Sequence, residues 1–132
     1  MIDYAAILKA NPDGVLATYD GQGIKTRVFQ LQFIDEKKLY FCTNSEKPVY
    51  KQMKANPNVS FCVQNNFSPV LSANGKVVFI DDMALKIRIF DENPLIKTIY
   101  NSPDNPIFTI FYIDVEEVET FGFSEGPKSY KL

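Results

Sequence analysis

The sequence contains no histidine and no tryptophan among its 132 residues. A chain without histidine cannot form a Ser-His-Asp or Cys-His catalytic relay. It also lacks the side chain that most often binds transition metals. These absences argue against a hydrolase or a zinc enzyme, and we expect no metal site.

Cysteine is scarce as well. Cys42 and Cys62 each stand in an apolar run, and their spacing is not the Cys-x-x-Cys pattern of a metal or redox pair. Free cysteines in proteins usually pack as small apolar side chains. We therefore predict that both thiols are buried.

The chain has no large excess of charge of either sign and no long apolar run. Its 14 basic residues are scattered and nearly balance 16 acidic ones, so no positive field would attract nucleic acid. The first residues, with Asp3 among them, do not resemble a secretory signal, and no stretch has the length of a membrane span. We expect a cytoplasmic protein that binds neither nucleic acid nor membrane.

Aromatic residues are plentiful, at 14% of the chain, and they stand in segments that alternate like strands. Residues 1–132 are the right length for one domain with one pocket. The patterns predict short helices over 2–10, 45–55, 82–91 and 94–100 and strands over 15–19, 24–34, 39–42, 59–63, 69–80, 107–115 and 118–123. Asn74-Gly75 is either a turn or a kink within one strand, and we favour the kink. Residues 126–132 are predicted to be a mobile polar tail.

Polar and charged residues that suit a phosphate are concentrated between residues 27 and 57. Arg27 opens one strand, and a second ends in Thr43-Asn44-Ser45 just before a helix with Lys47 in its predicted first turn. A guanidinium, an ammonium, two hydroxyls and the free N–H groups of a helix start can all bind one anion.

The same residues also have simpler interpretations. Alternation places Arg27 on one face with Phe29, Leu31 and Phe33, where a charge either reaches water at the rim or meets an anion. Lys47 on its own is more commonly a solvated charge. Asn44 or Ser45 on its own is more commonly only a helix cap.

Four linked motifs in this stretch resemble a known family. They are Arg-Val-Phe-Gln-Leu at 27–31, Leu-Tyr-Phe-Cys-Thr-Asn at 39–44, Ser-Glu-Lys at 45–47 and Asn-Pro-Asn-Val-Ser at 56–60. In order and spacing they resemble the pyridoxamine 5'-phosphate oxidase-like FMN-binding split-barrel family, and in particular its short, nitroimidazole-reductase-like branch. The resemblance implies a mainly β fold with short helices, a six-stranded split β-barrel, and a homodimer with FMN at two sites between the subunits.

The resemblance also implies roles for individual residues. Arg27, Thr43, Ser45 and Lys47 match positions that hold the FMN phosphate. Val28, Phe29 and Gln30 match the strand whose backbone faces the isoalloxazine ring, and Cys42 and Asn44 flank the end of the next strand. From the second subunit we expect Phe121 and Phe123 to contact the flavin.

Several residues depart from the family pattern. Gln32 stands where the true oxidase has a lysine, Glu46 replaces an arginine, and Val70 replaces a flavin-contacting glutamine. The sequence also has no Trp- and Arg-rich C-terminal segment, so oxidation of a B6 vitamin is not expected. The nitroimidazole-reductase-like branch often uses a histidine near the flavin, and this chain has none.

We therefore predict an FMN-dependent oxidoreductase of unknown substrate, with a small-molecule electron donor such as a nicotinamide and a small-molecule acceptor. In such an enzyme the flavin carries the redox chemistry, so no protein acid or base is obligatory. Two alternatives stay open: a flavin-binding or flavin-sensing module without turnover, and a flavin-free β-barrel.

Overall fold

The structure, a computed structural model, describes residues 2–132. Its helices are α1 (Tyr4–Ala10), α2 (Pro48–Ala55), α3 (Met83–Glu92) and α4 (Pro94–Tyr100). Its strands are β1 (Asp13–Tyr19), β2 (Ile24–Gln30), β3 (Phe33–Asp35), β4 (Lys38–Asn44), β5 (Asn58–Gln64), β6 (Val70–Ile80), β7 (Phe108–Gly122) and β8 (Gly126–Lys131). Within residues 2–132, no helix is both long enough and apolar enough to cross a membrane.

All strand pairs are antiparallel, in the order β2-β1-β5-β6-β7-β4-β3, and β8 pairs with β7. The sheet curls so that side chains from distant strands meet in one main core, for example Leu16, Phe41, Phe61 and Phe111. The Phe41 ring stacks on Phe111 with centroids 5.3 Å apart. The predicted mainly β split-barrel class is confirmed. Residues 2–132 form eight strands, whereas the pattern predicted seven and the resemblance implied a six-stranded barrel.

The alternation of apolar residues explains why these segments form strands around a core. In β1, Leu16 and Thr18 point inward and are buried, whereas Val15 and Tyr19 point outward. Helices α1 and α2 close the barrel with Leu8 and with residues of α2 such as Met53. Burying each large apolar side chain contributes about 1.5–3 kcal/mol, so the main core is the dominant stabilising element.

A second cluster lies outside the barrel, between the two consecutive helices α3 and α4 and the strands β4 and β7. It contains the buried residues Ile89 and Phe90 of α3, Tyr100 of α4, and Tyr40, Phe108 and Ile110 of the strands. Asp82 caps α3 by accepting a hydrogen bond from the Leu85 N–H. Asn93 caps α4 in the same way, accepting from the Leu95 N–H. This second cluster holds α4 beside the end of β4.

The predicted strand over 24–34 is wrong in one respect, because it is interrupted after Gln30. The Leu31 N–H donates to the carbonyl of Pro12, and the Gln32 N–H donates to that of Tyr40. Leu31 enters the main core, whereas Phe33 stacks on Tyr40 at 4.4 Å in the second cluster. Phe33 therefore does not share a face with Arg27.

The C-terminal predictions also need correction. The two closing strands predicted over 107–115 and 118–123 are the single strand β7, in which Glu116 is exposed and skipped in the pairing with β6, while Val115 and Val118 are buried. The predicted mobile tail is β8, paired with β7 along its length. A salt bridge of 2.7 Å between Lys131 and Glu117 accompanies this pairing.

The kink predicted at Asn74-Gly75 is confirmed. The register between β6 and β7 shifts between these two residues, as at a β-bulge. A Cβ atom on Gly75 would overlap the backbone carbonyl of Asp114. Only glycine lets the two strands come this close.

Candidate functional site

A cavity of about 450 Å³ lies between β2, the end of β4, the start of α2 and the outer side of α4. It brings together residues that are far apart in sequence. Eight of the eleven predicted cofactor-binding residues line it: Arg27, Val28, Phe29, Gln30, Cys42, Thr43, Asn44 and Lys47.

Arg27 is held by neutral acceptors on β1 and α2. Its guanidinium donates to the Leu16 carbonyl at 3.1 Å, to the Thr18 hydroxyl at 2.7 Å and to Gln52 Oε1 at 2.9 Å. The Thr18 hydroxyl itself donates to the same Gln52 oxygen at 2.6 Å. These bonds fix the direction of the guanidinium and leave some of its five N–H donors free.

The charge of Arg27 is not balanced by a neighbouring carboxylate. None of the ion pairs formed by the described residues includes it. Burial lowers its pKa, as expected for a cation taken from water without a counter-ion. A half-buried guanidinium with only neutral partners favours an anion in the cavity.

The side chain of Thr43 gives the strongest evidence that this cavity is a binding site. Its side chain is 2% exposed, and its hydroxyl has no hydrogen-bond partner among residues 2–132. Buried hydroxyls are nearly always paired, and leaving one unpaired costs about 1–3 kcal/mol. Thr43 lines the cavity, and although its hydroxyl oxygen has almost no accessible surface, a rotation of the side chain would bring it to a ligand that supplies the missing partner.

The structure corrects the start of the helix that follows Thr43. Helix α2 begins at Pro48, so Lys47 lies at its N-cap position and not in its first turn, and it makes no side-chain cap. Asn44 does not cap the helix either, because its Oδ1 accepts from the Glu46 N–H in the preceding turn. The Lys47 ammonium is exposed at the cavity, and no carboxylate in the described part of the chain lies within ion-pair distance of it.

Three predicted site residues lie outside the cavity lining. Ser45 is half-buried and its N–H donates to the Ile107 carbonyl. Phe121 lies at the end of β7 and Phe123 in the turn after it, where Phe123 is 81% exposed and its ring is 5.7 Å from that of Phe67. Their roles at a flavin remain predictions.

One whole wall of the cavity was not foreseen from the sequence. Leu95, Ile96, Ile99 and Tyr100, all on α4, line it. Leu95 and Ile99 are well exposed, at 63% and 56%. An apolar pair four residues apart on the outer side of a short helix was the available signal.

Cys42 and Tyr100 lie where the two walls meet. Burial raises the pKa of the Cys42 thiol to about 12, against a smaller opposing effect of the Lys47 ammonium. Burial likewise raises the pKa of Tyr100 to about 12. Both groups are neutral at physiological pH, so the cavity, whose lining also includes Asp13, offers hydrogen-bond donors, cations and a carboxylate but no thiolate nucleophile.

The arrangement agrees with a family comparison. The sequence model of the pyridoxamine 5'-phosphate oxidase family matches residues 3–122. The chain belongs to the pyridoxamine 5'-phosphate oxidase family. The resemblance stated from four short motifs is thereby confirmed.

Solved structures share the fold of this family member. A NimC/NimA family protein from Clostridium acetobutylicum is 29% identical, with a TM-score of 0.85 over 98% of this chain and 91% of that one. A candidate pyridoxamine 5'-phosphate oxidase from Listeria innocua is 25% identical, with a TM-score of 0.73 over 87% and 92%. An FAD-binding protein from Mesorhizobium loti is 18% identical, with a TM-score of 0.67 over 87% and 88%. A comparison with curated proteins gave no match.

The positions that depart from the oxidase pattern can now be located. Gln32 lines the cavity, and the Asn93 side chain donates to both Gln30 and Gln32, at 3.1 and 3.2 Å. These bonds fasten the start of α4 to the strand side. Glu46 is exposed in the turn before α2, and Val70 lies at the start of β6, away from this cavity.

Proposed function

We propose that this protein binds FMN in the cavity between β2, β4, α2 and α4 and acts as an oxidoreductase on a small-molecule substrate. The single observation that carries the proposal is the buried, unpaired Thr43 hydroxyl in a cavity that also contains two cations without carboxylate partners. A phosphate monoester is a dianion with several acceptor oxygens, and it would satisfy all three groups.

The residues present fit the phosphate of FMN. Arg27 keeps free N–H donors after binding Thr18 and Gln52, and Lys47 contributes a mobile ammonium. The Thr43 hydroxyl gains the partner that it lacks. Ser45 remains a predicted contact, since it follows Asn44 directly at the same edge.

The rest of the cavity suits a planar, largely apolar ring. Val28, Phe29 and Gln30 form one side, and Leu95 and Ile99 form the other. The fold accommodates a flavin in the FAD-binding protein of Mesorhizobium loti, which supports the proposal at the level of fold. FMN, when bound, supplies the redox chemistry, and this chain's residues bind it, orient it and exclude water.

We further propose a homodimer. Val28, on the outward side of β2, is 71% exposed, and Val15 beside it on β1 is also exposed. An apolar face beside the cavity is typical of an interface, and a two-fold dimer would bury well over about 1,000 Å². Phe121 and Phe123 would then be available to the partner's flavin. Light scattering should give a dimer, and a monomer that still binds FMN tightly would contradict a shared site.

The first experiment is the visible spectrum of the purified protein. We expect a yellow protein, or an apo-protein that quenches FMN fluorescence with a Kd in the low micromolar range or below, because phosphate and ring contacts together exceed about 8 kcal/mol. A colourless protein that leaves the fluorescence of excess FMN unchanged would exclude the flavin proposal altogether.

A flavin-binding or sensing module without turnover is the second candidate. It is favoured by the raised pKa values of Cys42 and Tyr100, which keep both groups neutral at physiological pH, so neither acts there as a proton acceptor or nucleophile. The two functions separate when bound flavin is reduced by NADH or NADPH and its reoxidation by a nitroaromatic or a quinone is followed. Repeated turnover identifies an enzyme, and its absence with every donor identifies a binding module.

A further inference from the structure

A second cavity, of about 350 Å³, lies on the other side of α2 and shares no lining residue with the first. It is open to solvent and is bordered by α2, the end of β6, the start of α3 and the start of β7. Tyr50, Phe79 and Phe108 give it aromatic walls, and Lys54 and Lys86 bring two ammonium groups to it.

The ammonium group of Lys54 lies above the aromatic wall. Its Nζ lies 4.7 Å from the centre of the Phe79 ring and 5.6 Å from that of Tyr50. The two rings meet edge to face, with their centroids 4.9 Å apart, so they pack against each other in the wall. A cation over ring faces keeps its three N–H donors, and in the described part of the chain no carboxylate pairs with Lys54.

Lys86 is the more buried of the two cations. Its side chain is 12% exposed, and its Nζ is 5.9 Å from the centre of the Phe108 ring. Its carboxylate partner, Asp81, lines the cavity too and is 3.6 Å away, but the Asp81 side chain is 96% exposed, so water weakens the attraction between them. A largely buried ammonium with a solvated counter-ion gains from a second anion within the cavity.

We propose that this second cavity binds a small aromatic anion, of the class of single-ring carboxylates and phosphate esters. The two ammonium groups select the negative charge, and the rings of Tyr50, Phe79 and Phe108 cover the planar body. A volume of about 350 Å³ is close to the lower limit of ligand pockets, roughly 300 Å³, which suits one ring and not a dinucleotide.

The test uses phenyl phosphate on FMN-saturated protein, so that the first cavity is filled. Calorimetry should show binding about tenfold tighter than that of inorganic phosphate or benzyl alcohol, because only phenyl phosphate meets both the cations and the rings. In 1H–15N NMR spectra the amide signals of Lys54, Lys86 and Thr109 should shift. If the protein takes up no FMN, the same titration is made on the protein as purified.

Lysine variants test whether the second cavity is a binding site for the aromatic anion. Lys54→Gln and Lys86→Gln should each weaken phenyl phosphate by about fivefold to tenfold, since each removes one charge-assisted contact. Lys51→Gln removes the same charge from the same helix without touching the cavity, and it should change nothing. If circular dichroism shows that Lys86→Gln does not fold, the affinity of Lys54→Gln alone is used, because Lys54 is exposed and its replacement should not affect folding.

Three results would overturn the inference. They are no binding of phenyl phosphate, equal weakening by Lys51→Gln and Lys54→Gln, and loss of binding in Arg27→Ala, which would assign the ligand to the first cavity. In the first two cases the lysines merely cover the aromatic rings. None of these readouts depends on flavin turnover, so they leave the proposed function untouched.

Discussion

The two walls of the first cavity are built on different physical principles. On the strand side, polar groups are fixed by register and hydrogen bonds, with Arg27 tied to Thr18 and Gln52. On the helix side, Leu95 and Ile99 present apolar surface that is exposed and non-directional. The contrast indicates a ligand whose charged end is positioned by the strand wall and whose apolar end packs against the helix wall. Changes to one wall should therefore discriminate between ligands, and changes to the other should not.

The largest effect is expected for Arg27→Ala on the strand wall. One or more charge-assisted hydrogen bonds of roughly 1.5–3 kcal/mol are lost, so FMN should bind about tenfold to a hundredfold more weakly. Riboflavin lacks the phosphate, and its affinity should hardly change. Fluorescence titration of both flavins measures this, and Lys47→Ala should act in the same direction but less. Equal weakening of both flavins would show that Arg27 supports the fold or the ring.

Thr43→Val tests the unpaired hydroxyl with almost no change in shape. We expect FMN affinity to fall about tenfold, because one hydrogen bond to a charged group is lost. The apo-protein should be at least as stable as the wild type, because an unpaired buried hydroxyl is replaced by a methyl group. Urea unfolding and FMN titration are measured together. An unchanged FMN affinity would mean that Thr43 does not reach the phosphate.

Leu95→Ser and Ile99→Ser should behave in the opposite way to the strand variants. Each removes apolar surface of roughly 1 kcal/mol, so FMN and riboflavin should both weaken about fivefold, by the same factor. Both side chains are exposed, so the free energy of unfolding should change little. A selective loss of FMN would show that α4 covers the phosphate instead of the ring.

The smallest effect concerns pH and the junction of the two walls. The folded state favours the protonated Cys42 thiol, whose pKa is raised from about 9 to about 12. Stability from this group is complete below pH 9 and is lost as the pH rises towards 12. Urea unfolding between pH 8 and 11 should therefore show a smaller decline in Cys42→Ala than in the wild type. Tyr100 acts in the same direction and keeps some decline in the variant. Identical slopes would contradict burial of the thiol.

The same contrast explains what the sequence could and could not predict. The strand wall was predictable because the motifs that contain Arg27, Thr43 and Lys47 resemble those of the family, whereas the residue pattern alone left simpler interpretations open. The α4 wall was not, because Leu95 and Ile99 reach the cavity only through the packing of α3 and α4 on Tyr40 and Phe108. The spacing of these two residues predicts a helix, but it does not reveal which part of the fold that helix packs against.

Two strand errors have a similar cause. The break after Gln30 depends on hydrogen bonds from Leu31 and Gln32 to Pro12 and Tyr40, which local alternation does not reveal. The polar segment of β8 has little strand propensity, and it is ordered because β7 extends far enough to pair with it. In both places a tertiary partner overrides the local pattern.

The position of β7 has a consequence for synthesis of the chain. The strand order places β7 between β2-β1-β5-β6 on one side and β4-β3 on the other, and β7 begins only at Phe108. Until it has left the ribosome, β4 and β6 have no shared neighbour, and both retain open edges that can pair with other chains. We expect ribosome-bound chains ending before residue 108 to be protease-sensitive and dependent on chaperones, and chains released in full to become resistant in one step. Resistance in the shorter chains would show that the barrel forms without its connecting strand.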